Sequence, residues 1–247
     1  MKTVIIDKFP KLSFAAAEAV NTLCTNLTFS GENTRRIMVT SCHASEGKSF
    51  VSMNIMRTMA DFGKRVVLVD ADLRRSTIAE HYGLRFSEDE PSGLAHMLAG
   101  MAGIDDVVYQ SNIEGALMVP EGRDVTNPMP LLNSPRLGKL LDCLAEMADY
   151  VIVDAPPVGT VIDAAQIAKS CDGTLLVVNY DQVHRQELIE AKAQLVQTGC
   201  PVLGVVLNQV RFDNYMSRKY YFKSYLTNHS YYHSGSGRGA SRKRDRE

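Results

Sequence analysis

A chain of 247 residues has room for one large α/β domain or two small ones, and 45% hydrophobic against 22% charged residues is enough apolar material for a buried core. The formal net charge of -1 gives no global reason for nucleic acid to bind, so no nucleic-acid partner is expected. No N-terminal stretch reads as a signal peptide, and no window approaches the roughly 18 apolar residues of a membrane span, so a membrane role has to come through a partner.

In chain order, Phe14–Leu27 predicts a helix, placed in an N-terminal helical arm over residues 1–30. Residues 31–210 then alternate strands and helices. Ile37–Thr40 is a strand, Lys48–Phe62 a helix and Val66–Val69 a strand. The stretch Ser87–Asn133 is richer in Gly and Pro and reads as a short helix plus loops on the rim. Pro135–Ala148 is a helix and Tyr150–Val153 a strand; an Ala-rich helix opens at Asp163, read as its N-cap rather than as a catalytic residue. Thr174–Val178, Arg185–Gln197 and Val202–Leu207 complete the pattern as strand, helix and strand. The strands are nearly continuous in apolar residues, which suits strands covered on both faces. The expected fold is therefore α/β, a mostly parallel sheet flanked by helices. Residues 211–247 form a separate tail: Arg211–His233 has no clean period, and Ser234–Glu247 is small, polar and basic.

The chemistry starts where the first core strand ends. Ile37-Met38-Val39-Thr40 runs into Ser41-Cys42-His43-Ala44-Ser45-Glu46-Gly47-Lys48-Ser49, a polar loop that opens a helix. Backbone N–H groups at a helix start have no intrahelical partners, and the helix dipole favours negative charge there, so this is a phosphate site. Gly47 lets the backbone come close to the phosphates, Lys48 reaches the β- and γ-phosphates, and the Ser49 hydroxyl suits Mg2+. The common pattern has Gly where Cys42 stands. Two further strands end in acid: Val69-Asp70-Ala71-Asp72 and Val153-Asp154-Ala155-Pro156. Open α/β sheets bind ligands at these strand ends. Asp70 and Asp72 are two apart and share a side of an extended chain, an arrangement that calls for a cation. Asp154 fits the role of holding Ser49 or a metal-bound water.

The five cysteines (Cys24, Cys42, Cys143, Cys171, Cys200) are scattered and read as small buried hydrophobes in a reducing compartment. Cys42, just before a helix start, is in a place that can lower a thiol pKa and support redox control. His43 is read either as a phosphate donor or as a solvent-facing loop residue.

Together these residues resemble the cytoplasmic P-loop domain of the bacterial tyrosine kinases of capsule and exopolysaccharide synthesis. Walker A is Ser45-Glu46-Gly47-Lys48-Ser49, the additional Walker A′ motif is Val-Asp-Ala-Asp-Leu-Arg-Arg at 69–75, and Walker B is Val-Ile-Val-Asp-Ala-Pro-Pro-Val at 151–158. Ser92-Gly93-Leu94, Met97–Gly100, Pro120-Glu121-Gly122, Asn127-Pro128 and Leu131–Arg136 look like the linking region, and the likeness spans roughly residues 14 to 232. The resemblance implies a P-loop NTPase fold of the deviant Walker, partition ATPase-like class, with ATP and Mg2+ as cofactors. It implies a catalytic set of Lys48, Asp70, Asp72 and Asp154, with Asp70 as base, and a metal set of Ser49, Asp72 and Asp154. Nucleotide would be bound by Ser45, Glu46, Gly47, Lys48, Ser49 and Asn208, the last at the position that contacts adenine. It further implies a homo-oligomer at the inner face of the membrane, a membrane-spanning activator that controls chain length and acts through its cytoplasmic tail, and a phosphotyrosine phosphatase. This chain departs from the family in two places. Asn21 and Cys24 follow Glu18 where the family has two Arg used in ring assembly, and Ala44-Ser45 replaces Pro-Gly in the loop.

Six of the ten tyrosines fall between 215 and 232: Tyr215, Tyr220, Tyr221, Tyr225, Tyr231 and Tyr232. They read as phosphoacceptors on a segment that reaches a neighbour's active site, or else as a partner-binding stripe. Two other functions fit the motifs. One is a switch ATPase of the partition type, which carries a signature Lys where His43 stands. The other is a weakly catalytic nucleotide-binding regulator of a membrane partner.

Overall fold

The apolar runs of the sequence form strands that lie side by side. The computed structural model describes residues 2–31, 33–123, 125–159, 162–180 and 182–210. In chain order the elements are β1 (Lys2–Ile6), α1 (Phe14–Thr28), β2 (Arg36–Ser41), α2 (Lys48–Asp61), β3 (Val66–Asp70), α3 (Ile78–Tyr82), β4 (Leu84–Phe86), α4 (Leu94–Ala99) and α5 (Ile104–Val107). They continue with β5 (Tyr109–Ser111), β6 (Ala116–Val119), α6 (Met129–Leu132), α7 (Pro135–Met147), β7 (Tyr150–Asp154), α8 (Asp163–Ala168), β8 (Gly173–Asn179), α9 (Arg185–Gln197) and β9 (Val202–Asn208). The strands make one sheet in the order β4-β1-β5-β6-β3-β7-β2-β8-β9. From β6 to β9 every neighbour pair is parallel; β5 with β6 and β1 with β4 are antiparallel.

Side chains alternate between the two faces of each strand, so the parallel strands feed two cores. On one face Met38, Val67, Val69, Val151, Val153 and Leu176 pack against leucines of α7 and α9 and residues of α4 and α8. On the other, Ile37, Val39, Leu68, Ile152 and Val177 meet Met53, Met56 and Met59 of α2, over which Cys24 and Leu27 of α1 close. Four cysteines (Cys24, Cys42, Cys171, Cys200) are buried as small apolar residues. Ser13 starts α1 by accepting from the Ala16 N–H, and Ser134 starts α7 in the same way, with Pro135 at the first helical position.

Three expectations meet a different structure. Within the stretch 1–30, Lys2–Ile6 is a strand held between β4 and β5. The stretch Ser87–Asn133 supplies two strands of the sheet, β5 and β6, as well as short helices. Both strands are too short for a periodic signal, and Ala-Leu-Met-Val has no alternation. β9 is not covered on both faces: it lies at the edge of the described sheet, with Val205 and Leu207 exposed. On α1, Asn21 donates to Glu18 and Cys24 is wholly buried against α2, so Cys24 is not on the helix's outer face.

Candidate active site

Parallel register brings the strand ends into line. Asp70 of β3 stands opposite Asp154 of β7, Asp154 opposite Val39 of β2, and Asn179 of β8 opposite Asn208 of β9. The loop after β2 therefore opens between two aspartates on one side and two asparagines on the other. Its last residue, Gly47, has φ 86 and precedes the first turn of α2. A Cβ there would lie 2.0 Å from the Asn208 amide, so only Gly fits.

Lys48 Nζ lies 3.0 Å from Asp72 Oδ2 and 3.4 Å from Asp154 Oδ2. Ser49 Oγ donates to Asp154 Oδ2 at 2.6 Å, and Ser52 Oγ, one turn on, reaches Asp154 Oδ1 at 2.8 Å. Asp154 is thus held by two hydroxyls of the helix it faces. Burial pulls the Lys48 ammonium toward the neutral form, but Asp154 and Asp72 outweigh it and its pKa ends raised. Asp70 is wholly buried; its carboxyl is pushed well above the usual range by burial first, then by Glu121 and Asp154, with Ser76 and Lys48 acting against the rise. The Ser76 hydroxyl donates to Asp70 Oδ2. Asp72 accepts from the Arg75 N–H at 3.2 Å, which curls the Walker A′ segment back on itself.

Glu46 shapes the loop from inside. Its buried carboxylate accepts from the His43 N–H at 2.7 Å and the Asn179 N–H at 3.3 Å. Ser45 is left-handed at φ 64, so the Ser in place of Gly carries a backbone cost of roughly 1–2 kcal/mol. The Asn208 amide donates to the Glu46 carbonyl at 2.9 Å, so part of its hydrogen bonding belongs to the loop itself.

All the expected loop and carboxylate residues converge here. The six tyrosines from Tyr215 to Tyr232 lie outside the described residues. Two minor expectations, on Cys42 and Asp163, are corrected, and His43 is the exposed loop residue of the second of its two readings. Cys42 is buried, and desolvation, then Glu46 and Glu187, push its thiol up to about 12, the opposite of an activated thiolate. Asp163 does not cap α8 but is its first residue, with Ile162 at the cap; it takes Arg74 Nε at 2.5 Å and Nη2 at 3.1 Å. The His43 ring lies 3.2 Å from Glu187 Oε1 at the start of α9. Sequence reading missed Ser52, Ser76, Asn179 and Gln209. Asn179 alone carried a signal, a polar residue ending an apolar strand as the aspartates do. A groove of 510 Å³ beside Ile162, Gln166, Lys169 and Gln197 lies on the α8–α9 side and includes none of the site residues.

A strand end carrying Gly-Lys-Ser, with aspartates at the ends of the next two strands on one side and asparagines at the ends of the next two on the other, is a phosphate cradle. Residues 32–231 match the family described as ParA, NUBPL iron-transfer P-loop NTPase. The tyrosine-protein kinase CpsD of Streptococcus pneumoniae is 39% identical over 202 residues, covering 81% of this chain and 88% of that protein. Among solved structures, the kinase domain of Escherichia coli tyrosine kinase ETK is similar at TM-score 0.75 and 31% identity, over 81% of this chain and 77% of that one. The Pyrococcus horikoshii septum site-determining protein MinD with Mg-ADP shares the fold at TM-score 0.58 and 23% identity, over 70% of this chain and 69% of that one. With the P-loop and its aspartates in place, these likenesses settle the family: the chain belongs to the bacterial tyrosine-protein kinases, nucleotide-binding P-loop enzymes built on the same sheet as the partition-type ATPases.

Proposed function

We propose that this chain is an ATP- and Mg2+-dependent autokinase that phosphorylates Tyr215, Tyr220, Tyr221, Tyr225, Tyr231 and Tyr232, and so regulates synthesis and export of a capsular or extracellular polysaccharide. One observation carries the reading: Lys48, Ser49, Asp72 and Asp154 meet within 3.4 Å at the ends of adjacent strands. The ATP phosphates would lie on the N–H groups of the loop and the start of α2, with Lys48 between the β- and γ-phosphates. The site fits a divalent cation. Its donor set is two carboxylates, Asp72 and Asp154, both paired with Lys48, and the Ser49 hydroxyl on Asp154, a small set of oxygens. Ser49, Asp72 and Asp154 would hold Mg2+, few protein ligands being usual for this ion. Held by these residues, a Mg2+ ion would offset the negative charge of the nucleotide phosphates.

Asp70 is the proposed base. A phenol has an ordinary pKa near 10, and burial raises the proton affinity of Asp70 toward it. The hydroxyl of Ser76 already occupies Asp70 Oδ2, the position an acceptor phenol would take. Phosphoryl transfer is largely loose, so positioning and charge count for more than full deprotonation. Each phosphate adds about -1.5 to -2 charges, and several on one tail repel each other and the acidic site, which favours tail release and a smaller oligomer.

Among the described residues no helix is long and apolar enough to cross a membrane. The proposed place is the inner face of the cytoplasmic membrane, through the cytoplasmic tail of a membrane-spanning chain-length protein that activates the kinase. A phosphotyrosine phosphatase would reset it. The test is incubation with Mg·ATP, with and without the activator's tail, followed by phosphotyrosine mapping by mass spectrometry with Lys48→Met as control. Phosphotyrosine between 215 and 232 is expected; its absence under every condition would falsify the autokinase assignment. Phosphate release without phosphotyrosine would point to a switch ATPase instead.

A further inference from the structure

Two non-glycine residues among those described have a left-handed backbone, Ser45 at φ 64 and Gln209 at φ 56. They are 164 positions apart in the chain and they touch: the Gln209 side-chain amide donates from Nε2 to the Ser45 carbonyl at 3.2 Å. The next carbonyl, that of Glu46, accepts from Asn208 Nδ2 at 2.9 Å. In a trans peptide the C=O and the following N–H point in opposite directions. Drawing the carbonyls of Ser45 and Glu46 toward the end of β9 therefore turns the N–H groups of Glu46 and Gly47 the other way, into the cradle that opens at α2. Asn179 keeps the Gln209 amide in that sense, donating from Nδ2 to Gln209 Oε1 at 2.9 Å; Asn179 is itself buried.

We infer that Gln209 is a positioning residue of the nucleotide site, which holds the phosphate loop in its left-handed turn at Ser45 and thereby aims the loop N–H groups at phosphate. Ser needs the restraint because its Cβ disfavours φ 64, whereas Gly adopts that backbone freely. The inference rests on the reading of this loop as the nucleotide site and adds to it a residue at the root of the tyrosine-bearing segment.

The test is a double-mutant cycle in the full chain with Gln209→Ala and Ser45→Gly, read as the Kd for a fluorescent ATP analogue with Mg2+. In the Ser45 background, Gln209→Ala should weaken binding about fivefold. With Ser45→Gly the same change should cost less than twofold. Gln209 is exposed, so its removal should leave the melting temperature within about 2 °C of wild type, which separates positioning from folding. An equal loss in both backgrounds, or no loss in the first, overturns the role of Gln209 while leaving the nucleotide site standing. A wild-type protein that does not bind the analogue overturns both.

Discussion

At the scale of single residues, the site is an arrangement of opposite charges with hydroxyls as spacers. Lys48 is the cation that joins Asp72 and Asp154, so Lys48→Met removes the group expected to follow charge onto the transferred phosphoryl. Loss of such an electrostatic contact costs about 100-fold or more in rate, and phosphotyrosine formation measured by quantitative mass spectrometry should fall by that much. Gly159 is a less obvious point of failure. A Cβ there would sit 2.5 Å from the Cys42 carbonyl, inside the back of the phosphate loop. Gly159→Ala should therefore displace the loop and weaken Mg·ATP binding about tenfold by fluorescence titration; unchanged affinity would show that the loop yields without effect. The aspartates were legible because each follows an apolar run. Ser52, Ser76 and Gln209 were not, because their partners are fixed by helix phase, by a local turn or by a contact 164 residues away.

At the scale of elements, the sheet is pinned at the end opposite the site. Asp172, just before β8, accepts from the N–H groups of Arg35 and Arg36 at 3.0 and 2.7 Å and from the Arg36 guanidinium at 2.6 Å. Burial alone would raise the Asp172 pKa, but the Arg36 side chain and the two N–H groups outweigh it and lower it. Asp172→Ala should cost about 2 kcal/mol of stability in chemical denaturation at neutral pH. A depressed carboxyl gives stability that is present above its unfolded pKa of about 3.9 and is lost as pH falls through the folded value. The gap between wild type and variant should therefore close in acid, and a gap that stayed constant down to pH ~2 would assign the effect to packing. Ser134→Ala, which removes the side-chain cap of α7, should cost about 1 kcal/mol in the same assay. The long helices and the β-branched strands were readable from period and caps. β1, β4, β5 and β6 were not: β4, β5 and β6 have only three or four residues, and β1 is a strand through its pairing with β4 and β5.

At the scale of the whole molecule, a phosphate loop is joined in sequence to a cluster of tyrosines. Replacing Tyr215, Tyr220, Tyr221, Tyr225, Tyr231 and Tyr232 together by Phe should abolish self-phosphorylation while Mg·ATP affinity stays within about twofold, since Phe keeps the ring and loses only the acceptor. Phosphotyrosine persisting at Tyr180, which is exposed at the end of β8, would relocate the acceptor. The departures from the family pattern on α1 have a packing consequence. With Cys24 buried against α2, that side chain offers no contact to a second copy, and the proposed homo-oligomer is open to test by light scattering before and after phosphorylation.

The sequence by itself determined the alternation of strands and helices, the parallel sheet, the phosphate loop and its three acidic partners. Those follow from local signals: apolar runs, helix starts, and polar residues at strand ends. Only the tertiary structure decided the strand order, the inclusion of β1, β5 and β6, the burial that unfits Cys42 for redox chemistry, and the bonding of Asn179 and Gln209 to one another and of Gln209 to the loop. The strand order and the contacts of β9 depend on which distant strands lie side by side, and parallel pairing across a crossover leaves no mark in the local sequence; the antiparallel β5–β6 pair is local but too short to show a period.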